Sequence, residues 1–361
     1  MRIAYLLDRP ELGGGVKVVF EHAALLARRG HRVTVAGRGP RPAWAGCPEV
    51  AYFDHGETPA LPAPVDLALA TYWTTLPAVA ALPATATAHF CQGYEADWPH
   101  ERHRRAAIEA AYAAADLPTL TVTPALAAHL GEHHGRSCRV APPPADPRFR
   151  PGLRGHLRRR PGRRPWIAVP GIFEAEVKGV PTALAAVRRL EAAGRRCRVL
   201  RISVLPPSDA ERALRAADRF LTAVPPADVA AALARCDLLL MASRPGEGFG
   251  LPLLEAMAAG VPAVASRLPS TEWMTAVTEP AGGRSVIRTA AGRGDARLLA
   301  GEAATRAEAA ALVPAQDAGA FAAAAAALLD DPRRWRRARR SRTGVWKWTS
   351  SRLSRTPPPA A

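Results

Sequence analysis

The sequence predicts an α/β protein made of two doubly wound halves, each built on a parallel sheet. Short apolar runs alternate with helix-length amphipathic segments along the first part of the chain and again along the second. A basic, proline-rich segment with the composition of a linker separates the two series. With 361 residues, the chain is long enough for two domains that each bury a hydrophobic core.

The first series opens with a strand, a glycine loop, a helix and a second strand. An apolar run over residues 2–7 precedes Gly13, Gly14 and Gly15, and a helical pattern over residues 16–29 leads into another apolar run. Such a βαβ unit forces parallel strands and places the glycine loop at their carboxyl ends, where open α/β sheets bind ligands. Further strands are predicted over residues 65–70, 85–90 and 119–122, and a helix over residues 101–115.

The second series begins at Trp166. Strands are predicted over residues 166–170, 198–202, 238–241 and 261–266, and helices over residues 181–193 and 228–235. We therefore expect four segments. They are an N-terminal domain over residues 1–150, a Pro/Arg-rich linker over 151–165, a second domain over 166–331, and a basic helix and tail over 332–361.

Composition favours a protein of a reducing compartment without a membrane span. No apolar run reaches the ~20 residues that a spanning helix needs, and the first run ends at Asp8, too soon for a signal peptide. The five cysteines are scattered and never form a Cys-x-x-Cys pair, which argues against a disulfide framework and against structural zinc. We expect a cytoplasmic protein.

The chain is strongly basic, with a net charge of +17 that comes almost entirely from arginine. Two arginine runs, over residues 154–164 and 333–342, hold much of the excess. A solvated surface that reflects a G+C-rich genome is one interpretation. Peripheral docking on an anionic membrane is the other, with Trp335, Trp346 and Trp348 at the interface. Nucleic-acid binding is disfavoured, because no RNA-binding aromatic motif or metal finger accompanies the arginines.

The most informative segment runs from Ser243 to Gly260. In its loop, Gly246, Gly248 and Gly250 let backbone N–H groups come close to a ligand, and the proline that follows suits the first turn of a helix. The N-terminus of a helix attracts anions, of which phosphate is the usual one.

Two acids in this segment suggest what the ligand carries on either side of its phosphates. Glu247 precedes the predicted helix, and Glu255 lies about one turn inside it. One acid can face the far end of the ligand while the other binds a vicinal diol, which suits the sugar, diphosphate and ribose of a nucleotide-sugar. The alternatives are that Glu255 only stabilises the helix dipole and that Glu247 is a solvated loop acid.

The segment from Glu247 onward resembles the paired-glutamate motif of retaining family 4 glycosyltransferases, in which seven residues separate two glutamates. The resemblance implies a GT-B fold, with two Rossmann-like domains facing a central cleft, the acceptor on the first domain and the donor on the second. It also implies that Glu247 contacts the transferred sugar and Glu255 the ribose. The helix start between them, at Gly248, Phe249, Gly250 and Leu251, would complete the donor site.

Two further segments extend the resemblance. The loop Gly13, Gly14 and Gly15 is similar to the family's glycine loop near the donor phosphates and the acceptor, although a plain tight turn has the same composition. Lys178 and Gly179 resemble the pair that grips the donor diphosphate, where a fixed cation would stabilise the departing diphosphate without a metal. A solvated loop lysine is the alternative.

The sequence also departs from the family pattern. An arginine usually follows the glycine at the end of the second domain's first strand, but here Gly171 is followed by Ile172. Arg201 and Arg244, both expected near carboxyl ends of strands, are the candidate substitutes. We include Arg244 in the donor site.

His89 is the remaining catalytic candidate besides Lys178 and Glu247. It lies at the expected end of a first-domain strand, where a family histidine approaches the transferred sugar, and a structural histidine is the alternative. Gln92 and Glu95 are alternative polar groups on the acceptor side.

A metal site is not expected. The cluster His129, Glu132, His133 and His134 lacks the spacing of a zinc protease motif, and the chain has no Asp-x-Asp triplet to hold a divalent ion on a nucleotide-sugar. We expect no cofactor apart from the nucleotide-sugar donor itself.

These observations together predict a retaining, metal-independent glycosyltransferase. It would move a sugar from a nucleotide-sugar to a glycan, lipid-linked or small-molecule acceptor, such as one of a bacterial cell-envelope polysaccharide. It would be cytoplasmic, with peripheral contact to the inner face of the membrane as an additional hypothesis. The alternative is a non-catalytic GT-B protein that binds a glycan or scaffolds a polysaccharide-synthesis complex.

Overall fold

The computed structural model describes residues 1–152, 161–276 and 310–340. Contacts divide the chain into two compact units, one of residues 1–144 and one that begins at Ala145. Each unit contains a single parallel sheet with helices between its strands, which confirms the predicted fold class. Parts of the predicted linker and tail, residues 153–160 and 341–361, lie outside the described residues.

Unit 1 has a seven-stranded sheet with the order β3-β2-β1-β4-β5-β6-β7. Its strands are β1 Arg2–Leu6, β2 Arg32–Gly37, β3 Ala51–Asp54, β4 Val65–Ala70, β5 Ala84–Cys91, β6 Thr119–Thr121 and β7 Cys138–Val140. Its helices are α1 Gly14–Arg28, α2 Thr75–Ala80, α3 Arg105–Ala114 and α4 Pro124–His134. The predicted helix over residues 101–115 is shorter than expected, because residues Pro99–Arg104 form a 3₁₀ turn.

Unit 2 has a six-stranded sheet with the order β10-β9-β8-β11-β12-β13. Its strands are β8 Trp166–Pro170, β9 Arg198–Ser203, β10 Arg219–Thr222, β11 Leu238–Met241, β12 Ala263–Ser266 and β13 Ala310–Val313. Its helices are α5 Val180–Ala192, α6 Asp209–Arg215, α7 Pro226–Leu233, α8 Leu251–Ala258, α9 Pro269–Ala276, α10 Ala318–Asp330 and α11 Pro332–Arg340. Among the described residues, no helix is both long and apolar enough to cross a bilayer.

Both sheets are doubly wound. In unit 2 the chain builds from β8 outward through β9 to β10, and then returns to β11 on the other side of β8. The loops after β8 and β11 therefore leave neighbouring strands in opposite directions, which opens a crevice at the carboxyl edge of the sheet. Unit 1 has the same switch between β1 and β4.

The loops that follow β8 and β11 in unit 2 pack tightly on each other. Gly179 has a left-handed backbone with φ of +57°, and a Cβ built on it would lie 1.8 Å from the carbonyl oxygen of Ala242. The backbone N–H of Arg244 donates to the carbonyl of Val177 at 2.8 Å. Glycine is required at position 179 for both reasons, and its presence fixes where the β8 loop meets the end of β11.

The C-terminal helix α11 packs on unit 2 through its tryptophan. The Trp335 side chain is fully buried, and its Nε1 donates to the carbonyl of Asp237 at 2.8 Å. Asp331 accepts hydrogen bonds from the N–H groups of Arg333 and Arg334 at the start of the helix. The predicted interfacial role of Trp335 is therefore wrong. Trp346 and Trp348 lie outside the described residues.

Replacing Gly179 with alanine should destabilise the protein by more than the cost of placing alanine in a left-handed conformation. Gly194 is the matched control, because its φ is +84° and a Cβ added there would have no atom within 4 Å. We expect Gly194→Ala to lower the free energy of unfolding by about 1–2 kcal/mol, the cost of a left-handed alanine. Gly179→Ala should lose a further ~1–3 kcal/mol through the steric conflict with Ala242. Urea denaturation of both variants measures the difference, and equal losses would contradict the packing.

Candidate functional site

The candidate site lies at the carboxyl edge of the unit 2 sheet, between the loops that follow β8 and β11. The first loop ends in a 3₁₀ turn over Glu176–Lys178, and the second leads into helix α8. Both loops leave the sheet at its topological switch, the position where open α/β sheets place their ligands. The sequence placed the lysine and the paired glutamates at this edge, and the structure brings Lys178 and Glu247 into direct contact.

The centre of the site is an ion pair between Lys178 and Glu247. Lys178 Nζ lies 2.8 Å from Glu247 Oε2 and 3.1 Å from Oε1. The Glu247 side chain is 10% exposed, whereas Lys178 is 37% exposed and can accept a further ligand. Two residues predicted to hold different parts of a ligand are therefore direct partners.

Ser243 is a member of this cluster that sequence analysis gave no role. Its Oγ donates to Glu247 Oε2 at 3.1 Å, and the serine is buried. The hydroxyl fixes one carboxylate oxygen of Glu247 and restricts its rotation. Its place at the start of the glycine-rich segment was visible in the sequence, but nothing there indicated which side chain it would contact.

The start of helix α8 adjoins the pair. Gly250 precedes the helix with φ of +91°, and Pro252 occupies its first turn, as predicted. Phe249 is buried, and its ring packs edge-on against Trp273 with centroids 6.4 Å apart. Glu255 lies in the helix about one turn from its start and is partly buried. The arrangement offers a helix N-terminus beside a cation, which is a favourable environment for an anion.

Arg201 does not supply the cation missing after Gly171. Its side chain is fully buried, and its guanidinium donates to Glu211 Oε1 at 2.5 Å and to the carbonyl of Gly171 at 2.8 Å. It also donates to the carbonyl of Val169. The guanidinium thus holds the end of β8 in place, and the idea that Arg201 substitutes for the family's arginine is wrong.

Arg244 is better placed to supply the cation that is missing after Gly171. Its backbone bonds to Val177, one residue before Lys178, and its side chain is 31% exposed. Its Nη1 lies 3.6 Å from Glu176 Oε2, a long and exposed ion pair. Within the part of the chain that the structure describes, its buried Nε has no hydrogen-bond partner. A guanidinium with spare donors thus adjoins the Lys178 loop.

In unit 1 the glycine loop lies at the start of α1, as predicted. Gly13 has an extended backbone, and the helix begins at Gly14. Gln92, in the loop after β5, donates from its side chain to the carbonyl of Gly15 at 3.0 Å. The structure therefore links two polar segments at the carboxyl edge of the unit 1 sheet.

His89 lies inside β5 rather than at its end, and its side chain is fully buried. Burial, together with the nearby guanidinium of Arg136, lowers the pKa of His89 to about 3. Its ring packs edge-on against Tyr112 at 5.4 Å. These contacts match the structural interpretation of this histidine and leave no surface through which it contacts a substrate.

Glu95 is the acid of unit 1 with the most unusual environment. It is buried, and Tyr112 donates its hydroxyl to Glu95 Oε2 at 2.7 Å. Burial raises the pKa of this carboxyl to about 7. Its sequence context, just after a predicted strand, suggested a polar acceptor-side group but gave no indication of its burial.

The histidine cluster on α4 has aromatic and acidic partners. His129 Nε2 lies 3.1 Å from Asp97 Oδ2, and His134 Nε2 lies 2.9 Å from the hydroxyl of Tyr94. Within the described ranges, no group of three or more His, Cys, Asp or Glu side chains is arranged to hold a metal ion.

Comparison with known proteins finds a family match within the second unit. Residues 164–280 match the family model described as glycosyl transferases group 1. This segment contains Lys178, Arg244, Glu247 and Glu255. The comparison with curated proteins finds no match.

Solved structures similar to this chain extend over both units. Sucrose-phosphate synthase from Thermosynechococcus elongatus has a TM-score of 0.70 at 17% identity, covering 97% of this chain and 94% of that chain. HepE from Anabaena in complex with UDP and glucose has a TM-score of 0.66 at 14% identity, covering 98% of this chain and 95% of that chain. WaaG, a glycosyltransferase involved in lipopolysaccharide biosynthesis, has a TM-score of 0.63 at 14% identity, covering 97% of this chain and 95% of that chain.

At these identities the structural similarity establishes the fold, and the family model adds a match of sequence over the candidate site. The chain therefore has the two-domain, Rossmann-like GT-B fold, and its second unit matches the group 1 glycosyltransferases over the residues that form the site.

Proposed function

We propose that this protein is a retaining glycosyltransferase that uses a nucleotide-sugar donor and needs no metal ion. The observation that carries the proposal is the Lys178–Glu247 pair, held beside the start of α8 at the switch point of the unit 2 sheet. It combines a cation for a diphosphate with a carboxylate for sugar hydroxyls in one crevice.

The donor diphosphate would bind Lys178, with Arg244 as the second cation. The backbone N–H groups of Gly248, Phe249, Gly250 and Leu251 would contribute at the helix start. Departure of a nucleoside diphosphate builds negative charge, and fixed cations and helix dipoles stabilise that charge without reorganising. Two similar structures support this class of donor, since HepE was solved with UDP-glucose and starch synthase IV from Arabidopsis thaliana with ADP and acarbose.

Binding of the diphosphate would change the partner of Lys178. A phosphate oxygen at Lys178 Nζ competes with Glu247, and the carboxylate then becomes available to accept hydrogen bonds from the hydroxyls of the transferred sugar. Ser243 keeps its hydrogen bond to one carboxylate oxygen and so preserves the orientation of Glu247. Glu255, one turn into α8, would hold the ribose hydroxyls.

The reaction would break the bond between the anomeric carbon and the leaving phosphate and form a bond to an acceptor hydroxyl on the same face. The proton of that hydroxyl would pass to an oxygen of the departing diphosphate. This route retains the anomeric configuration without a protein nucleophile. We leave His89 out of the machinery, because it is buried within β5.

The acceptor would be a glycan, a lipid-linked sugar or a small molecule bound on the unit 1 side. The loops that carry Gly13 to Gly15 and Gln92 are the proposed contacts, whereas Glu95 is buried against Tyr112 and is left out for the same reason as His89. We place the reaction in the cytoplasm, where nucleotide-sugars are available.

Incubation with UDP-, ADP- and GDP-sugars, followed by mass spectrometry of slow donor hydrolysis, tests the activity directly. Donor binding without any turnover would favour a non-catalytic glycan-binding or scaffold protein instead.

Replacing Lys178 with alanine should weaken binding of a nucleoside diphosphate about tenfold or more, because a charge-assisted hydrogen bond contributes ~1.5–3 kcal/mol. Titration calorimetry with UDP, ADP and GDP measures the affinity of the best ligand. Arg212→Ala removes the same charge from an exposed position of unit 2 and should change the affinity little. Unchanged affinity in a folded Lys178→Ala variant would refute the assignment of the diphosphate site.

Transfer should survive chelation of divalent ions. Protein cations and a helix N-terminus supply the positive charge that a metal provides in other glycosyltransferases, so EDTA should leave the rate close to its untreated value. The measurement is product formation before and after dialysis against EDTA, with magnesium and manganese added back. Complete loss of activity that either metal restores would contradict the mechanism.

A further inference from the structure

The amino edge of the unit 2 sheet carries a concentration of exposed arginines. Segments that precede parallel strands lie at one edge of a sheet, and this edge is opposite the one that holds the candidate site. The strands β9, β8 and β11 are neighbours. Exposed arginines precede two of them, with Arg163 and Arg164 before β8 and Arg196 before β9.

Helix α11 brings the second arginine run to the same edge. The carboxylate of Asp237 accepts the N–H of Gly162 at 3.3 Å and that of Trp166 at 2.9 Å. The carbonyl of Asp237 accepts the indole N–H of Trp335 from α11 at 2.8 Å. One residue thus joins the segment that contains Arg163 and Arg164 to the C-terminal helix.

Two other contacts confirm where α11 lies. Arg195, just before β9, forms an ion pair with Asp330, the last residue of α10. A Cβ on Gly260, which precedes β12, would lie 3.1 Å from the carbonyl oxygen of Arg339. The two arginine runs, far apart in the sequence, therefore form one surface. We name it the basic edge; its members are Arg163, Arg164, Arg196, Arg333, Arg334 and Arg340, all exposed.

The acids near this surface already have hydrogen-bond or ion-pair partners. Asp237 is buried and bonded to backbone N–H groups, and Asp330 is paired with Arg195. Asp331 caps α11, and the hydrogen bonds from the backbone of Arg334 and Arg333 lower the pKa of its carboxyl. Over the described ranges, no member of the basic edge forms an ion pair.

Helix stability does not explain these arginines. A basic residue in the last turn of a helix complements the dipole. Arg333 and Arg334, however, lie in the first turn of α11, where positive charge opposes the dipole. Charge that is locally unfavourable and still exposed points to a partner outside the chain.

We propose that the basic edge docks unit 2 on the anionic surface of a membrane. Three neighbouring strands span about 10 Å and a helix of this length about 13 Å, so the charges are spread over several headgroups rather than gathered around one anion. The carboxyl edge with the candidate donor site would then face away from the bilayer, toward the solution that supplies nucleotide-sugars. The docking does not depend on the proposed glycosyl transfer.

A membrane fits this surface better than a nucleic acid does. Binding of single strands uses aromatic side chains on which bases stack. The tryptophans of this edge in the described part of the chain do not offer such a platform. Trp335 is fully buried, and the guanidinium of Arg198 lies over the ring of Trp166 at 5.4 Å. Arginines without stacking partners suit phosphate headgroups, whose recognition is electrostatic.

The test is co-sedimentation of the full chain with vesicles. Vesicles of phosphatidylcholine alone are compared with vesicles of equal parts phosphatidylcholine and phosphatidylglycerol, at low and high salt. The protein should bind the anionic vesicles only, and binding should weaken several-fold above ~0.15 M salt, where the field extends only about 8 Å. Equal, negligible binding to both vesicles would overturn the proposal.

Charge-reversal variants locate the surface. Arg163→Glu with Arg164→Glu, and Arg333→Glu with Arg334→Glu, should each reduce the bound fraction, and the four changes together should reduce it at least about tenfold. The second pair should not unfold α11, because glutamate is favoured in a first turn. Melting curves by circular dichroism verify folding.

The matched control reverses two exposed arginines of unit 1, Arg102→Glu with Arg139→Glu, which changes the net charge equally. This variant should bind anionic vesicles like the parent. A loss as large as that of the basic-edge pairs would show that total charge governs binding and would overturn the proposal. Tighter binding to a single-stranded oligonucleotide than to anionic vesicles would also overturn it, in favour of a nucleic-acid partner. Nucleotide affinity, measured in parallel, should stay unchanged in every variant.

Discussion

The close approach of Gly179 to the carbonyl of Ala242 is the constraint on which the candidate site depends. It fixes the loop after β8 against the end of β11, and the hydrogen bond from Arg244 to Val177 ties the same two loops a few residues later. Lys178 and Glu247 come from these loops, so their ion pair follows from backbone packing rather than from chance contact of two flexible side chains. A larger residue at position 179 would separate the two halves of the site.

The sequence contained most of the information needed for the fold. Strands β4, β8 and β11 have the predicted bounds, because buried parallel strands appear as short apolar runs between turn residues. Short strands such as β3 and β7, which are only partly buried, had no such signal. The glycine loops and the start of α8 were also predictable, since positive φ angles and proline in a first turn depend on local residue type.

Side-chain partners were harder to predict, because they depend on contacts between distant segments. Arg201 occupies a strand buried on both faces, and its partner Glu211 comes from a helix whose packing the sequence does not reveal. His89 is buried for a related reason, since β5 extends beyond it to Cys91. The pairing of Lys178 with Glu247 required knowledge of the strand order, which places β8 beside β11.

The two edges of the unit 2 sheet differ in chemistry. The carboxyl edge holds a few charged groups that bind each other, with Lys178 paired to Glu247 and Arg244 close to Glu176. The amino edge instead exposes arginines without described partners, brought together by the bonds of Asp237. The arginine runs are visible in the sequence, but Trp335, predicted at the membrane interface, instead anchors α11 to the protein through its indole.

The central claim is that a nucleoside diphosphate replaces Glu247 as the partner of Lys178. A double-mutant cycle of Lys178→Ala and Glu247→Gln, with diphosphate affinity measured by calorimetry, tests it most directly. If the claim is right, Glu247→Gln strengthens binding several-fold when Lys178 is present, because the ammonium group no longer has to leave a carboxylate, and has little effect in the Lys178→Ala background. Weakening of binding by Glu247→Gln to the same extent in both backgrounds would contradict the claim.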